Sequence, residues 1–150
     1  MNKKLVLGVI LTATILLATP INNVYADSYK SVTIGSDLTN QQKDDMLKYF
    51  DVDSNSASVV EVTSNEEKKY LGDTVSKEQL GNKSISCSYI EPTTTGGLVV
   101  NTHNVTWVNA SMIKNALITA GIENANVKVS APFTVSGTAA MTGILKGFEN

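Results

Sequence analysis

The sequence of 150 residues contains no arginine, one cysteine, one histidine and three prolines. Arginine is the side chain that binds phosphate groups in a two-pronged geometry, and the lysines that are present are scattered along the chain. This composition argues against nucleic acid or anionic lipid as a partner. With Cys87 as the single cysteine, an intramolecular disulfide is excluded, so packing must hold the fold together.

Cys87 lies in the alternating pattern Ile85-Ser-Cys87-Ser-Tyr89, which is typical of a half-buried strand. We interpret Cys87 as a buried, unreactive thiol, the alternative being a nucleophile served by His103 as base. A single histidine does not complete a typical zinc site without cysteine or carboxylate ligands. The sequence therefore predicts neither a metal site nor a cofactor.

Residues 1–26 have the three parts of a cleavable secretory signal peptide. Lys3 and Lys4 give a positive start, residues 5–17 form an apolar run, and Val24-Tyr-Ala26 offers a cleavage site. The run of about 13 residues is shorter than the roughly 20 that span a bilayer. No cysteine lies near the cut, so we expect secretion after cleavage behind Ala26, without a lipid anchor and without stable insertion in the membrane.

Residues 27–150 remain as one predicted secreted domain of 124 residues, which is long enough to bury a substantial core. They carry 10 basic and 14 acidic residues, a net charge of −4. No polybasic segment stands out among them.

Hydrophobic periodicity predicts strands alternating with helices. The predicted strands cover residues 30–35, 57–63, 83–91, 98–107 and the surroundings of Val127 and Val129. The predicted helices begin at Thr39, Ser64, Ser76, Asn109 or Ser111, and Ser136. The loop 92–97 has the composition of a hairpin, so its flanking strands are predicted to pair antiparallel. The order β-α-β-α-β-β-α-β-α predicts a layered α/β domain with a mixed sheet of about five strands.

The turn that holds Ser136, Gly137 and Thr138 is the best candidate for a ligand site. It follows a strand and opens a helix, whose free N–H groups attract anions. Ser36 and Asp37 occupy the corresponding turn after the first strand, and the ligand-site interpretation gains weight if the two turns converge at the carboxyl ends of their strands. No lysine accompanies Gly137, so this is not a Walker-type phosphate loop, and helix capping alone is the alternative interpretation.

Two further patterns have structural interpretations. Ser64 with Glu67 predicts a capping box, which leaves Glu66 and Glu67 in a first turn where the helix dipole favours negative charge. Gly143 and Gly147 are predicted to let the last helix pack closely on its neighbours.

Several segments together are more specific than any of these motifs. They are Ser31-Val-Thr-Ile-Gly-Ser-Asp-Leu-Thr39, Met46-Leu-Lys-Tyr-Phe50, Asn65-Glu-Glu-Lys-Lys-Tyr-Leu-Gly72, Ile85-Ser-Cys-Ser-Tyr-Ile-Glu-Pro92, Thr102-His-Asn-Val-Thr-Trp107, Ala116-Leu-Ile-Thr-Ala-Gly121 and Ala131-Pro-Phe-Thr-Val-Ser-Gly-Thr-Ala-Ala140. In these segments the chain resembles the exported bacterial family known as domain of unknown function 1002.

The resemblance implies an extracellular protein of a Gram-positive bacterium. It carries over no catalytic residues, because the family has no agreed activity. Members usually continue into a further helical region after the part that matches Gly143–Glu149, so we expect this chain to be a short or truncated member.

Since no catalytic constellation is evident, we expect a non-enzymatic binding or interaction module at the bacterial cell envelope. One alternative is an envelope-directed hydrolase that uses Ser136 or Thr138 with an acid from elsewhere in the chain. Another is an anion- or nucleotide-binding domain that uses the helix start at Ser136–Thr138. The ligand and the oligomeric state are not predicted.

Overall fold

In a computed structural model of the chain, residues 30–53 and 55–148 are described. The signal peptide prediction lies outside these residues. The elements, in chain order, are β1 (Ser31–Gly35), α1 (Asn40–Phe50), β2 (Ser58–Val62), α2 (Ser64–Leu71), α3 (Lys77–Leu80), β3 (Cys87–Pro92), β4 (Leu98–Thr102), α4 (Ala110–Thr119), β5 (Ala125–Ser130) and α5 (Thr138–Lys146). Over residues 30–53 and 55–148, no helix has the length and apolar character needed to cross a membrane.

The five strands form one mixed sheet in the order β2-β1-β3-β5-β4, as an α/β domain with a mixed sheet predicts. β1 and β2 are parallel, β4 and β5 are parallel, and β3 runs antiparallel to both of its neighbours, β1 and β5. The predicted hairpin is wrong, because β5 lies between β3 and β4. Asn124, just before β5, accepts a hydrogen bond from Thr93 N and holds Gly97 N through its side chain at 2.8 Å, so β5 is fastened to the loop that would have closed the hairpin.

Two apolar cores lie on opposite sides of the sheet. On one side, Met46 and Phe50 of α1 pack against the apolar faces of β1 and β3. On the other side, a larger core joins β5 to α2, α4 and α5 through such residues as Leu71, Leu117 and Ile144. The sheet therefore has helices on both faces, as its alternating order predicts, but α1 covers one face alone.

Helix α2 begins one residue earlier than the predicted capping box requires. Thr63 is the N-cap, and it exchanges hydrogen bonds with Glu66 rather than Ser64 with Glu67. The predicted box was wrong because Thr63-x-x-Glu66 and Ser64-x-x-Glu67 both fit the pattern. The correction moves Glu67 from the cap into the second turn, where its side chain points inward.

Helix α5 lies against β1 at a glycine. A Cβ built on Gly143 would stand 2.1 Å from Thr33 Cγ2, so only glycine allows this approach. The same atom on Gly147 would meet its nearest neighbour, Gly143 O, at 3.4 Å, which is ordinary contact. The predicted close packing is thus confirmed for Gly143 and wrong for Gly147.

Candidate functional site

The turn before α5 differs from the predicted helix start. Gly137, at φ 97°, is the N-cap and supplies no side chain, so Ser136 does not cap the helix. The Ala140 N–H donates instead to Ser86 Oγ at 2.8 Å. Ser136 Oγ lies 3.2 Å from Thr138 Oγ1, and Thr138 is buried. The polar groups at this helix start are therefore bonded to other parts of the chain.

Glu67 is the acid that this turn meets. Its side chain is only 1% exposed, and its Oε2 accepts a hydrogen bond of 2.5 Å from Thr138 Oγ1. Burial raises the pKa of Glu67, the hydrogen bond from Thr138 and the nearby Ser84 hydroxyl oppose that rise, and the negative charge of Asp37 adds to it. The Ser84 hydroxyl lies close enough to act on Glu67, although its Oγ makes no hydrogen bond of standard geometry. Glu67 is thus shifted toward its neutral form.

The turn that follows β1 approaches the same acid. Asp37 Oδ2 accepts a hydrogen bond from Ser84 N at 2.7 Å, and Ser36 N donates to Val62 O at 2.9 Å. Asp37 and Thr138 both act on Glu67, so the turns that hold Ser36–Asp37 and Ser136–Thr138 are brought together. Glu67 and Thr138 are both almost fully buried, whereas Asp37 is exposed, so the acid itself lies in the interior.

A hydroxyl chain from Ser136 through Thr138 to Glu67 has the elements of a nucleophile with an acid–base group. None of the described pockets is lined by these residues, and Thr138 is 3% exposed. Ser136 is partly exposed, whereas Thr138 and Glu67 lie in the interior.

The sheet face on the α1 side has a second, accessible site. It is a cleft of about 390 Å³ between the C-terminal end of α1 and strand β4. Its lining side chains are mostly polar, and we call it the open-face cleft: Lys30, Phe50, Asp51, Tyr89, Glu91, Asn101, Asn126, Val127 and Lys128.

Strand register explains why the open-face cleft is polar. One row across the sheet runs Val32–Tyr89–Lys128–Asn101, and the row below it runs Glu91–Asn126–Val99. Val32 and Tyr89 pack with α1, whereas the β5 and β4 members extend beyond it. Because β5 alternates Asn126 and Lys128 with buried Val127 and Val129, both of these polar side chains face the cleft.

Charges within the open-face cleft balance. Lys30 Nζ lies 3.2 Å from Glu91 Oε1, and Lys128 Nζ lies 5.7 Å from the centre of the Tyr89 ring. Asp51, at φ 58°, caps α1 in the left-handed conformation and provides the second acid. Two lysines and two acids leave the cleft with no net charge.

An aromatic pair stands one row above the cleft. The Tyr49 ring stacks on the His103 ring with their centres 5.9 Å apart, and Tyr49 is 49% exposed. His103 lies just after β4, with Nδ1 3.4 Å from Ser130 Oγ. In the described part of the chain, no three His, Cys, Asp or Glu side chains cluster as metal ligands, and His103 is not in such a group.

A further groove of about 540 Å³ separates α4 from α5. It is mainly apolar, and its lining includes Met112, Ala116, Met141, Leu145 and Phe148. It lies on the face of the sheet opposite the open-face cleft. Its small and flexible side chains make the groove adaptable in shape. None of its lining side chains is ionisable.

The family described as protein of unknown function (DUF1002) matches residues 34–150. The chain belongs to this family. The family resemblance predicted from the sequence is thus confirmed. "Uncharacterized protein YpuA" of Bacillus subtilis (strain 168) is 42% identical over 151 residues, which cover 98% of this chain and 51% of YpuA. The chain therefore spans about half the length of this curated relative. No solved structure is significantly similar to it.

Glu67 and the cleft residues were missing from the sequence-based site, which held only the two turns. A usable signal existed for Glu67: it precedes Leu71 by four residues and so shares the buried face of α2. For the cleft no such signal existed, because most of its residues come from β3, β4 and β5, whose order the hairpin prediction had wrong.

Proposed function

We propose that this chain is an exported, non-enzymatic binding module that holds a neutral saccharide of the cell envelope in the open-face cleft. The supporting observation is a polar, charge-balanced cleft on a sheet face that α1 leaves uncovered. Export is proposed from the signal peptide pattern of residues 1–26.

The side chains of the cleft suit a neutral ligand that is rich in hydroxyl groups. Asn101 and Asn126 are exposed, and each amide both donates and accepts hydrogen bonds. The cleft holds two lysines and two acids, so a strongly charged ligand of either sign would face two groups of its own sign. The exposed ring of Tyr49 offers a flat apolar surface of the kind that packs against a sugar ring.

Binding of residues 27–150 to peptidoglycan glycan fragments, with their stem peptides removed, tests this proposal. Isothermal titration should detect binding to the unchanged protein. The double variant Asn101→Ala/Asn126→Ala removes about two hydrogen bonds and should weaken binding about tenfold or more. Asn115→Ala is the matched control, because Asn115 is an exposed amide on α4, beside the apolar groove, and its replacement should leave the affinity unchanged.

Equal affinity of the double variant and the unchanged protein would reject the open-face cleft as the site. Binding only to an anionic wall polymer, with none to the glycan, would reject the neutral ligand class. Circular dichroism checks that the variants fold, which we expect because both replaced side chains are exposed.

The hydrolase is the second candidate, and the hydrogen bond from Thr138 to Glu67 favours it. If it is correct, the unchanged protein should release soluble fragments from cell walls, and Ser136→Ala or Glu67→Gln should abolish that release while wall binding persists. If the unchanged protein releases no soluble fragments, the hydrolase is rejected and the binding module is retained.

The anion-binding alternative is tested by soaking phosphate into crystals. The Ala140 N–H at the start of α5 already donates to Ser86, and the Glu67 carboxyl lies beside that start. We therefore expect no phosphate density there.

A further inference from the structure

Three side-chain oxygen atoms beneath α5 are buried and have no hydrogen-bond partner within residues 30–53 and 55–148. They are Glu67 Oε1, Ser84 Oγ and Thr142 Oγ1. The exposed fractions of these three residues are 1%, 0% and 0%. Buried polar atoms in proteins are nearly always hydrogen-bonded, so three unpaired oxygens in one region need an explanation.

The three atoms belong to one place in the fold. Thr142 follows Thr138 by four residues on α5, so both side chains lie on the same face of that helix. Thr138 donates to Oε2 of Glu67, which places the Glu67 carboxyl group beside that helix face. The Ser84 hydroxyl acts on Glu67 from the segment before β3.

We propose that an internal water molecule binds Glu67 Oε1 and Ser84 Oγ and extends to Thr142 Oγ1, and so joins α5 to α2 and to the segment before β3. The ligand must donate to a carboxyl oxygen and also pair with two hydroxyl groups, each of which can donate or accept. Water offers two donors and two acceptors, and buried waters commonly make about three such bonds. An anion is disfavoured by the Glu67 carboxyl, and no cluster of three acidic, His or Cys ligands in the described part of the chain supports a metal ion.

This water is independent of the open-face cleft, which lies on the other side of the sheet. It would complete the polar layer beneath α5, where Thr138 and Ser86 already bond the start of the helix. The role we assign to it is structural: it fixes α5 against α2 at a point where Gly143 and Thr33 are in close contact.

Thr142→Val is the decisive variant, because valine keeps the shape of threonine and removes only the hydroxyl. If the hydroxyl binds water, its removal should lower the melting temperature by several degrees. If the hydroxyl has no partner, its removal relieves a buried unpaired group and should raise the melting temperature. Thr119→Val, at the exposed end of α4, is the comparison, because it shows the cost of losing an ordinary threonine hydrogen bond, here to Asn115 O.

A crystal structure of the unchanged protein gives the second measurement. The proposal expects one electron-density peak within hydrogen-bond distance of Glu67 Oε1, Ser84 Oγ and Thr142 Oγ1. Any of three results overturns it: no peak, a peak at the shorter distances and higher coordination of a metal ion, or a Thr142→Val variant whose melting temperature is unchanged or raised.

Discussion

Replacing Gly143 with alanine should destabilise the protein, although alanine is the better helix former. Gly143 lies within α5, and a Cβ at this position would stand 2.1 Å from Thr33 Cγ2 and 2.2 Å from Thr33 Oγ1. Thr33 is 3% exposed on β1, in the interior of the sheet, so its side chain has no space to turn away. The helix and the strand must therefore move apart.

The expected magnitude follows from two opposed terms. Bringing the Cβ to ordinary contact means lengthening the separation from 2.1 Å to about 3.4 Å, which is a large shift for a close-packed interior. Overpacking of this kind costs about 3 kcal/mol at the upper end of its usual range. The helix propensity of alanine returns about 1 kcal/mol. The net loss is about 2 kcal/mol, or about 8 °C in melting temperature for a domain of this size.

Gly147→Ala on the same helix is the control. Its Cβ would meet carbonyl oxygens at 3.4 Å and 3.5 Å, and its φ of −64° is one that alanine adopts readily. We expect it to be neutral or to stabilise by about 0.5 kcal/mol. Thr33→Ala, combined with Gly143→Ala, removes two of the three closest atoms and should restore part of the loss. Urea unfolding measures all four proteins, and a Gly143→Ala variant as stable as Gly147→Ala would refute the reasoning.

Three further predictions concern ionisable side chains. Burial raises the pKa of Glu67, so the folded chain retains a proton that the unfolded chain releases near pH 4.5. The free energy of unfolding should therefore fall as the pH rises above that value. Glu67→Gln should remove this pH dependence in urea titrations. The hydrogen bond from Lys146 lowers the pKa of Glu66 to about 2, so the stability that this pair gives is present above about pH 4.5 and is lost as the pH falls toward 2. Lys146→Met should lower the free energy of unfolding by about 1 kcal/mol at neutral pH, a value reduced for solvent screening. An equal loss of stability at about pH 2 would contradict the pairing. Burial raises the pKa of Cys87 to about 11, so a thiol reagent should modify it only after unfolding, and rapid labelling of the native protein would show that the strand is more open than described.

Helix starts and strand positions were predictable where they depended only on residues close together in the sequence. The Thr39–Gln42 capping box opens α1 as predicted, and Asn109 caps α4 through its side chain. The strands are shorter than predicted but lie where alternation placed them. These features depend on neighbours in the sequence, which a sequence pattern can report.

The pairing of strands was not predictable from the same patterns. A loop composition rich in threonine and glycine indicates a reversal of direction, and β3 and β4 do run in opposite directions. It does not say whether another strand enters between them. The five residues from 93 to 97 can span the roughly 10 Å that one inserted strand requires. Asn124 then decides the pairing by binding both ends of that loop, a contact that no short-range pattern contains.

The buried acid was missed because of a shift of one residue. Assigning the cap to Ser64 made Glu67 the partner of that cap, and it seemed fully explained at the surface. With Thr63 as the cap, Glu66 takes the capping role, and Glu67, four residues before Leu71, lies on the face that Leu71 buries. A carboxyl group on that face must meet polar partners from elsewhere, and Thr138 is the partner found.

The polarity of the uncovered half of the sheet bears on what it binds. Beneath α1 the face of β1 and β3 is mainly apolar and includes Val32 and Cys87. Beyond α1, Asn101, Asn126 and Lys128 take the corresponding positions. A surface that another domain covered permanently would be expected to continue the apolar pattern, since burying unpaired amide and ammonium groups is costly. These side chains instead suit a ligand that supplies its own hydrogen bonds, which is why a saccharide fits this half of the sheet better than a second protein core.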